Sequence, residues 1–185
     1  MNDTQKGDEI NFSIIIPFKG SLDLLERLKN SIPDRNDLEV IVEEDIHGKG
    51  AGFCRNRGME RAKGKWFIFA DSDDFFTERF SEILDQYKNN NEDIIYFAPY
   101  SVYNDHLEKE AFRHQRLAML VKRNKKDELR YRFIPPWSKF FRKDFIMEND
   151  IRFEEIMVAN DIMFSIWSII SSPFGNCLPP NNSIK

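Results

Sequence analysis

RNRGMERAKGKWFIFADSDD, residues 55–74, sets the reading of the whole chain. A polar, helix-like stretch closes on Gly64. A short apolar run, residues 66–70, follows, and it ends on Asp71, Asp73 and Asp74. A run of that length, bounded by turn residues and rich in aromatics, predicts a buried strand. The order helix, glycine, strand, acidic turn is half of a βαβ unit. Three carboxylates held together repel one another, and burying any of them unpaired costs several kcal/mol. Such a cluster is worth keeping where a cation relieves it.

The pattern extends in both directions. FSIIIP (12–17) predicts a strand stopped by Pro17, and LEVIVEE (38–44) predicts another. Between them, residues 21–33 place Leu24, Leu25, Leu28 and Ile32 at helical spacing behind Ser21 as a cap. Residues 48–64 form a second helix with Gly64 as its C-cap. Residues 77–90 form a third, capped by Thr77, and residues 93–103 a fourth strand continuing toward a fifth. Alternation over 12–103 predicts an open α/β sheet, mostly parallel, with helices on its faces. Residues 131–150 read as strand, turn and short helix, 151–155 as extended, and 160–172 as a helix with Asp161 in its first turn. The chain divides into a polar tail (1–11), a ligand-binding α/β half (12–103), a second half of the same domain (104–175) and a tail (176–185).

Composition narrows the function. The 185 residues carry a net charge of −4, which argues against a nucleic-acid binder. Cys54 and Cys177 stand far apart with no metal-ligand spacing, and sparse cysteine fits a reducing cytoplasm. No apolar run reaches the ~18–20 residues of a membrane span, and the polar N-terminus has no signal core. Residues 109–143 hold twelve Lys/Arg against three Asp/Glu, a basic block inside an acidic protein. That block could meet a phosphate-bearing ligand or an anionic membrane. A cytoplasmic protein, at most peripheral at the inner face of the membrane, is expected.

Ligands of open parallel sheets bind outside the carboxyl ends of the strands. Asp71, Asp73 and Asp74 follow the third strand, so they stand on that edge. Carboxylates two residues apart can share Mg²⁺ or Mn²⁺, which keeps positions open for substrate phosphates. Glu43, Glu44 and Asp45 end the second strand, where an acid could accept a hydrogen bond from a base or a ribose. Arg55 and Arg57, early in the second helix, could reach a phosphate. Trp137 in PPW could stack on a sugar, and His47, His106 and His114 have no spacing that assigns them a role.

FSIIIPFKG, the acidic end of the second strand, RNRGMERAKGKWFIFADSDD, and later PPWSKFFRKDFI, IRFEE and NDIMF together resemble glycosyltransferase family 2 over about residues 12–167. The resemblance implies a GT-A (Rossmann-like) fold with an open mixed sheet. It implies metal-dependent, inverting transfer of a hexose-type sugar from a nucleotide-diphosphate sugar, a UDP-sugar, to a saccharide or lipid-linked acceptor. Surface polysaccharide or glycolipid synthesis is the expected setting. By position it implies Pro17, Glu44, Asp45, Arg55, Lys63 and Asp71 around the nucleotide, Asp73 and Asp74 at the metal, and Asp161 as catalytic base. Glu44 stands where the family usually has Asp, and Asn160 where it usually has Glu. The chain stops soon after Asp161, so the alternative is a truncated or non-catalytic nucleotide-sugar-binding module.

Overall fold

The computed structural model describes residues 9–172. The expected C-terminal tail (176–185) and Cys177 lie outside them, as does most of the N-terminal tail. The first half alternates as expected: β1 (Phe12–Phe18), α1 (Leu22–Asn30), β2 (Leu38–Glu44), α2 (Ala51–Arg61), β3 (Trp66–Phe69), α3 (Phe80–Tyr87) and β4 (Ile94–Tyr96). β5 (Val102–Tyr103) and β6 (His106–Glu110) then form a separate hairpin. α4 (Gln115–Lys122), α5 (Lys126–Arg132), β7 (Lys139–Arg142), α6 (Lys143–Glu148) and α7 (Ile162–Ser171) complete the chain.

The main sheet runs β2-β1-β3-β7-β4. β1 is parallel to β2 and β3, whereas β7 is antiparallel to both β3 and β4. Four strands therefore point one way, and one late strand is inserted against them. Alternation of side chains splits the core. Phe12, Ile14, Ile16 and Trp66 pack with Leu25, Leu28 and Leu84 on the α1–α3 face. Ile15, Phe67 and Phe69 pack with Phe141, Phe153 and Phe164 on the other. Phe153 and Phe164 stack with ring centroids 3.9 Å apart. β7 serves both layers, with Phe140 on one side and Phe141 on the other.

Several local expectations change. Ser21 occupies the N-cap position of α1 but its hydroxyl makes no cap bond. Thr77 does not cap α3, which begins at Phe80; the Thr77 carbonyl accepts the Phe80 amide instead. The strand expected near residue 131 is the end of α5, whose acidic first turn and basic last turn suit the helix dipole. Residues 151–155 join no ladder. Their partner is the Asn56 side chain, which accepts the Phe153 amide and donates to the Phe153 carbonyl, both at 2.9 Å.

Gly64 is not the C-cap either, because α2 closes on extended Ala62. Gly64 is needed for close approach: a β-carbon there would lie 2.6 Å from the Phe12 carbonyl carbon and 2.7 Å from the Ser13 nitrogen. Pro17 fits inside a central strand for a related reason. Alternate β1 residues hydrogen-bond toward β3, and β3 has ended at Phe69 before Pro17 would need to donate.

Candidate active site

β3 delivers its carboxylates to the carboxyl edge of the sheet. The Asp71 carbonyl accepts the Asp74 amide at 3.0 Å, closing a tight turn. Phe76 anchors the turn, donating its amide to Ser31 Oγ and stacking on Phe80 at 3.9 Å. Phe75 stays partly exposed under the Arg27 guanidinium. Arg27 of α1 also donates to the Asp73 carbonyl and, at 3.0 Å, to Asn104 in the β5–β6 hairpin. It thus joins the acidic turn to the hairpin, a role no local pattern signals.

This turn forms one wall of a cavity of about 630 Å³. Trp137, His114, Arg113, Arg55 and Asp161 line the same cavity. Trp137 is wedged edge-on against His114 (4.8 Å) and Phe133 (5.6 Å), so it is both core and wall. His114 Nδ1 lies 2.9 Å from Ser101 Oγ, and burial together with the Arg113 charge lowers its pKa.

Arg55 links the two halves of the site. It is buried, with its cation over the Phe153 ring at 5.2 Å. One nitrogen donates to Asp71 Oδ1 at 2.6 Å and another to Asn160 Oδ1 at 2.9 Å. Asn160 accepts there as a neutral amide, so among the described residues Asp71 is the carboxylate that balances this buried cation. The next residue, Asp161, is the N-cap of α7 and lines the cavity. Its side chain makes no capping bond, which leaves the carboxylate turned to other uses. Ala159 is held at φ +61, a left-handed conformation that brings Asn160 and Asp161 around to face Arg55 and the cavity.

Asp74 has an unusual environment. Asp74 keeps an exposed face, yet desolvation of its carboxyl, then the charges of Asp71 and Asp73, push its pKa up to about 7, against the pull of Arg27 and Arg113. In the unfolded chain it ionises in the ordinary range near 3.8. Between those values the folded state holds a proton that the unfolded state has lost, so stability falls as pH rises through that window. Asp74→Asn should therefore melt higher than the parent chain at about pH 8, and the two should converge toward about pH 4. Thermal melts across that range check it.

The same crowding bears on a metal. Among the described residues no three His, Cys, Asp or Glu side chains gather around one point. Asp73 and Asp74 nevertheless offer hard oxygen donors, and a cation would relieve the crowding that raises the Asp74 pKa. Mg²⁺ or Mn²⁺ needs only one or two protein carboxylates when phosphates and waters supply the rest. The residues fit such an ion, with Asp71 committed to Arg55.

Other expected residues fall elsewhere. Glu43 is buried between β2 and α2, paired with Arg57 at 3.4 Å and with Arg61. Arg57 therefore faces Glu43 rather than a phosphate. Asp45 accepts the amides of Lys49 (2.6 Å) and Gly50 (3.1 Å) and pairs with Lys19 (3.2 Å). Partial desolvation opposes ionisation there, but those donors outweigh it and hold its carboxyl below the usual range. Asp45 shapes the loop into α2. Glu44 is exposed at the same strand end, and Pro17 is buried at the end of β1; neither lines the cavity. Lys63 is not brought to the site. It precedes β3, and its amide donates to Glu39 near the start of β2, at the opposite edge of the sheet. His47 is exposed in the β2–α2 loop, and His106 pairs with Glu108 at 3.3 Å.

Comparison with known proteins agrees with this architecture. S. aureus TarS 1–349 superposes with a TM-score of 0.62 at 19% identity, covering 94% of this chain and 59% of that one. Its complex with UDP-GlcNAc superposes with a TM-score of 0.66 at 18% identity, covering 94% and 57%. At these identities the likeness establishes the GT-A-like fold. A cholesterol galactosyltransferase of Borreliella burgdorferi is 26% identical over 182 residues, 89% of this chain and 48% of the relative. The chain thus spans about half the length of that curated relative. The model of "Glycosyl transferase family 2" matches residues 19–149. With that match covering well over half of its length, the chain belongs to glycosyltransferase family 2.

Proposed function

We propose that the chain transfers a sugar from a UDP-sugar to an acceptor hydroxyl with inversion. The observation that carries this reading is one cavity in which the Asp71–Asp74 turn and Asp161 face the same space. The solved relative bound to UDP-GlcNAc supports a UDP-sugar donor. The galactosyltransferase relative, named for cholesterol, supports a lipid acceptor and a glycolipid product.

The chemistry follows from the residues. An acceptor hydroxyl between Asp161 and the donor loses its proton to the Asp161 carboxylate as its oxygen bonds to the anomeric carbon. The bond from that carbon to the diphosphate breaks on the opposite face, and its electron pair leaves with the nucleoside diphosphate. The transition state is oxocarbenium-like, as in glycoside hydrolysis, and one positioned base suffices for inversion. Arg55 holds Asp71 on the donor side and Asn160 beside the base, so both partners are fixed by one buried cation. Asp73 and Asp74 would hold Mg²⁺ or Mn²⁺, which supplies charge neutralisation for the departing diphosphate. Glu44, exposed at the end of β2 and outside the cavity, would meet the nucleotide base only where the donor extends beyond the cavity toward β2.

Calorimetry tests the donor half. UDP should bind about tenfold more tightly with Mn²⁺ than without, a difference of about 1.4 kcal/mol. Asp73→Asn should remove that enhancement. Metal-independent UDP binding, unchanged in Asp73→Asn, would contradict the metal assignment. No binding of UDP, GDP or any other nucleotide would sink the reading.

A further inference from the structure

We propose that residues 112–126 dock the mouth of the cavity onto an anionic lipid bilayer. The inference deepens the reading above by naming where the acceptor comes from. Residues 111–126 contain six Lys/Arg and no Asp or Glu, in a protein of net charge −4. None of the six forms an ion pair among the described residues. On α4 the buried side is Ala118, Leu120 and Val121. The outward stripe is Arg116, Met119 and Arg123, at spacings of three and four, flanked by Lys122.

The stripe adjoins the cavity. Arg113 and His114, just before α4, line it. Tyr100 and Leu107 line it too, yet are 44% and 43% exposed, which marks them as its mouth. Between mouth and stripe, Phe112 is 70% exposed, and Met119 is 41% exposed among cations. Exposed apolar groups set between cations favour a bilayer over a soluble polyanion. Only the bilayer offers Phe112 and Met119 an acyl boundary while its headgroups meet the arginines. The β5–β6 hairpin carries Asp105, Glu108 and Glu110 and, apart from Leu107 at the mouth, is not part of the contact.

Vesicle sedimentation of the 185-residue chain decides it. The chain should bind phosphatidylcholine vesicles containing phosphatidylglycerol, not phosphatidylcholine alone, and should release in high salt. Arg116→Glu with Arg123→Glu should weaken binding by more than tenfold, since each cation near such a surface is worth about fivefold. Phe112→Ser should weaken it several-fold at unchanged charge. Equal binding to both vesicle types overturns the proposal, as does full binding by either variant. So does binding of polyphosphate, insensitive to Phe112→Ser, by a chain that ignores vesicles. UDP calorimetry on the same samples keeps the two readings apart. Variants that lose vesicles and keep UDP support docking. A parent chain that binds vesicles and no nucleotide upholds docking and fails only the transferase reading.

Discussion

Asp161→Asn should cut sugar transfer by about 10²–10⁴-fold, the usual contribution of a positioned general base. UDP affinity should stay nearly unchanged. The substitution keeps the shape of the side chain and removes its ability to take a proton. Because the Asp161 side chain makes no capping bond, the loss should not spread into α7. The backbone anchor, its carbonyl accepting the Ser165 amide at 3.0 Å, is untouched. The donor-side carboxylates stand in the turn after β3, and the substitution leaves them and their Arg55 partner unchanged, so UDP affinity should not depend on the charge at residue 161. Release of UDP in the presence of acceptor, beside calorimetry of UDP alone, separates the two effects. Equal loss of both would mean that Asp161 binds donor or holds the fold, and the base assignment would fall.

How much of this was legible in the sequence depends on the distance over which a residue acts. β1 through β4 were readable because each strand and helix carries its own periodicity and punctuation. β7 was not recognised as the strand between β3 and β4. Nothing in KFFR says that it will run antiparallel into a gap left by strands tens of residues earlier. The β5–β6 hairpin leaves little trace in the sequence beyond the continuation of 93–103, because HLEKE is exposed throughout and has no apolar face to announce it. The acids after β3 were legible from the strand-end rule alone. Asp161 was legible only through family resemblance, because an acid opening a helix is common. Lys63 stands away from the acids for a simple geometric reason: β3 lies between them. Four strand residues carry the chain roughly 13 Å across the sheet. Asn56 and Arg27 act on partners 97 and 46 residues away. Their roles exist only once the sheet has brought those partners together.

Gly52→Ala should cost about 1–3 kcal/mol of stability, as overpacking generally does. Its larger effect should be on transfer, by on the order of 10²-fold, the scale of a 1 Å misplacement. A β-carbon at residue 52 would lie 2.1 Å from the Glu154 carbonyl oxygen and 3.0 Å from the Asn160 β-carbon. Both are below ordinary contact, and the nearer atom is backbone that no rotamer change can clear. α2 is also closely packed on β1 at Gly58, where a β-carbon would lie 2.4 Å from Ile15, so its own movement is restricted. The 154–160 loop must therefore move. That loop is tied to the site through the Arg55–Asn160 bond and leads directly into Asp161. Gly64→Ala provides the comparison. It meets the β1 backbone at 2.6 Å, at the opposite edge of the sheet. It should lower the melting temperature by a similar amount yet leave turnover per folded molecule almost intact. If both variants lose turnover only in proportion to folded protein, the packing of α2 against the 154–160 loop does not position the base.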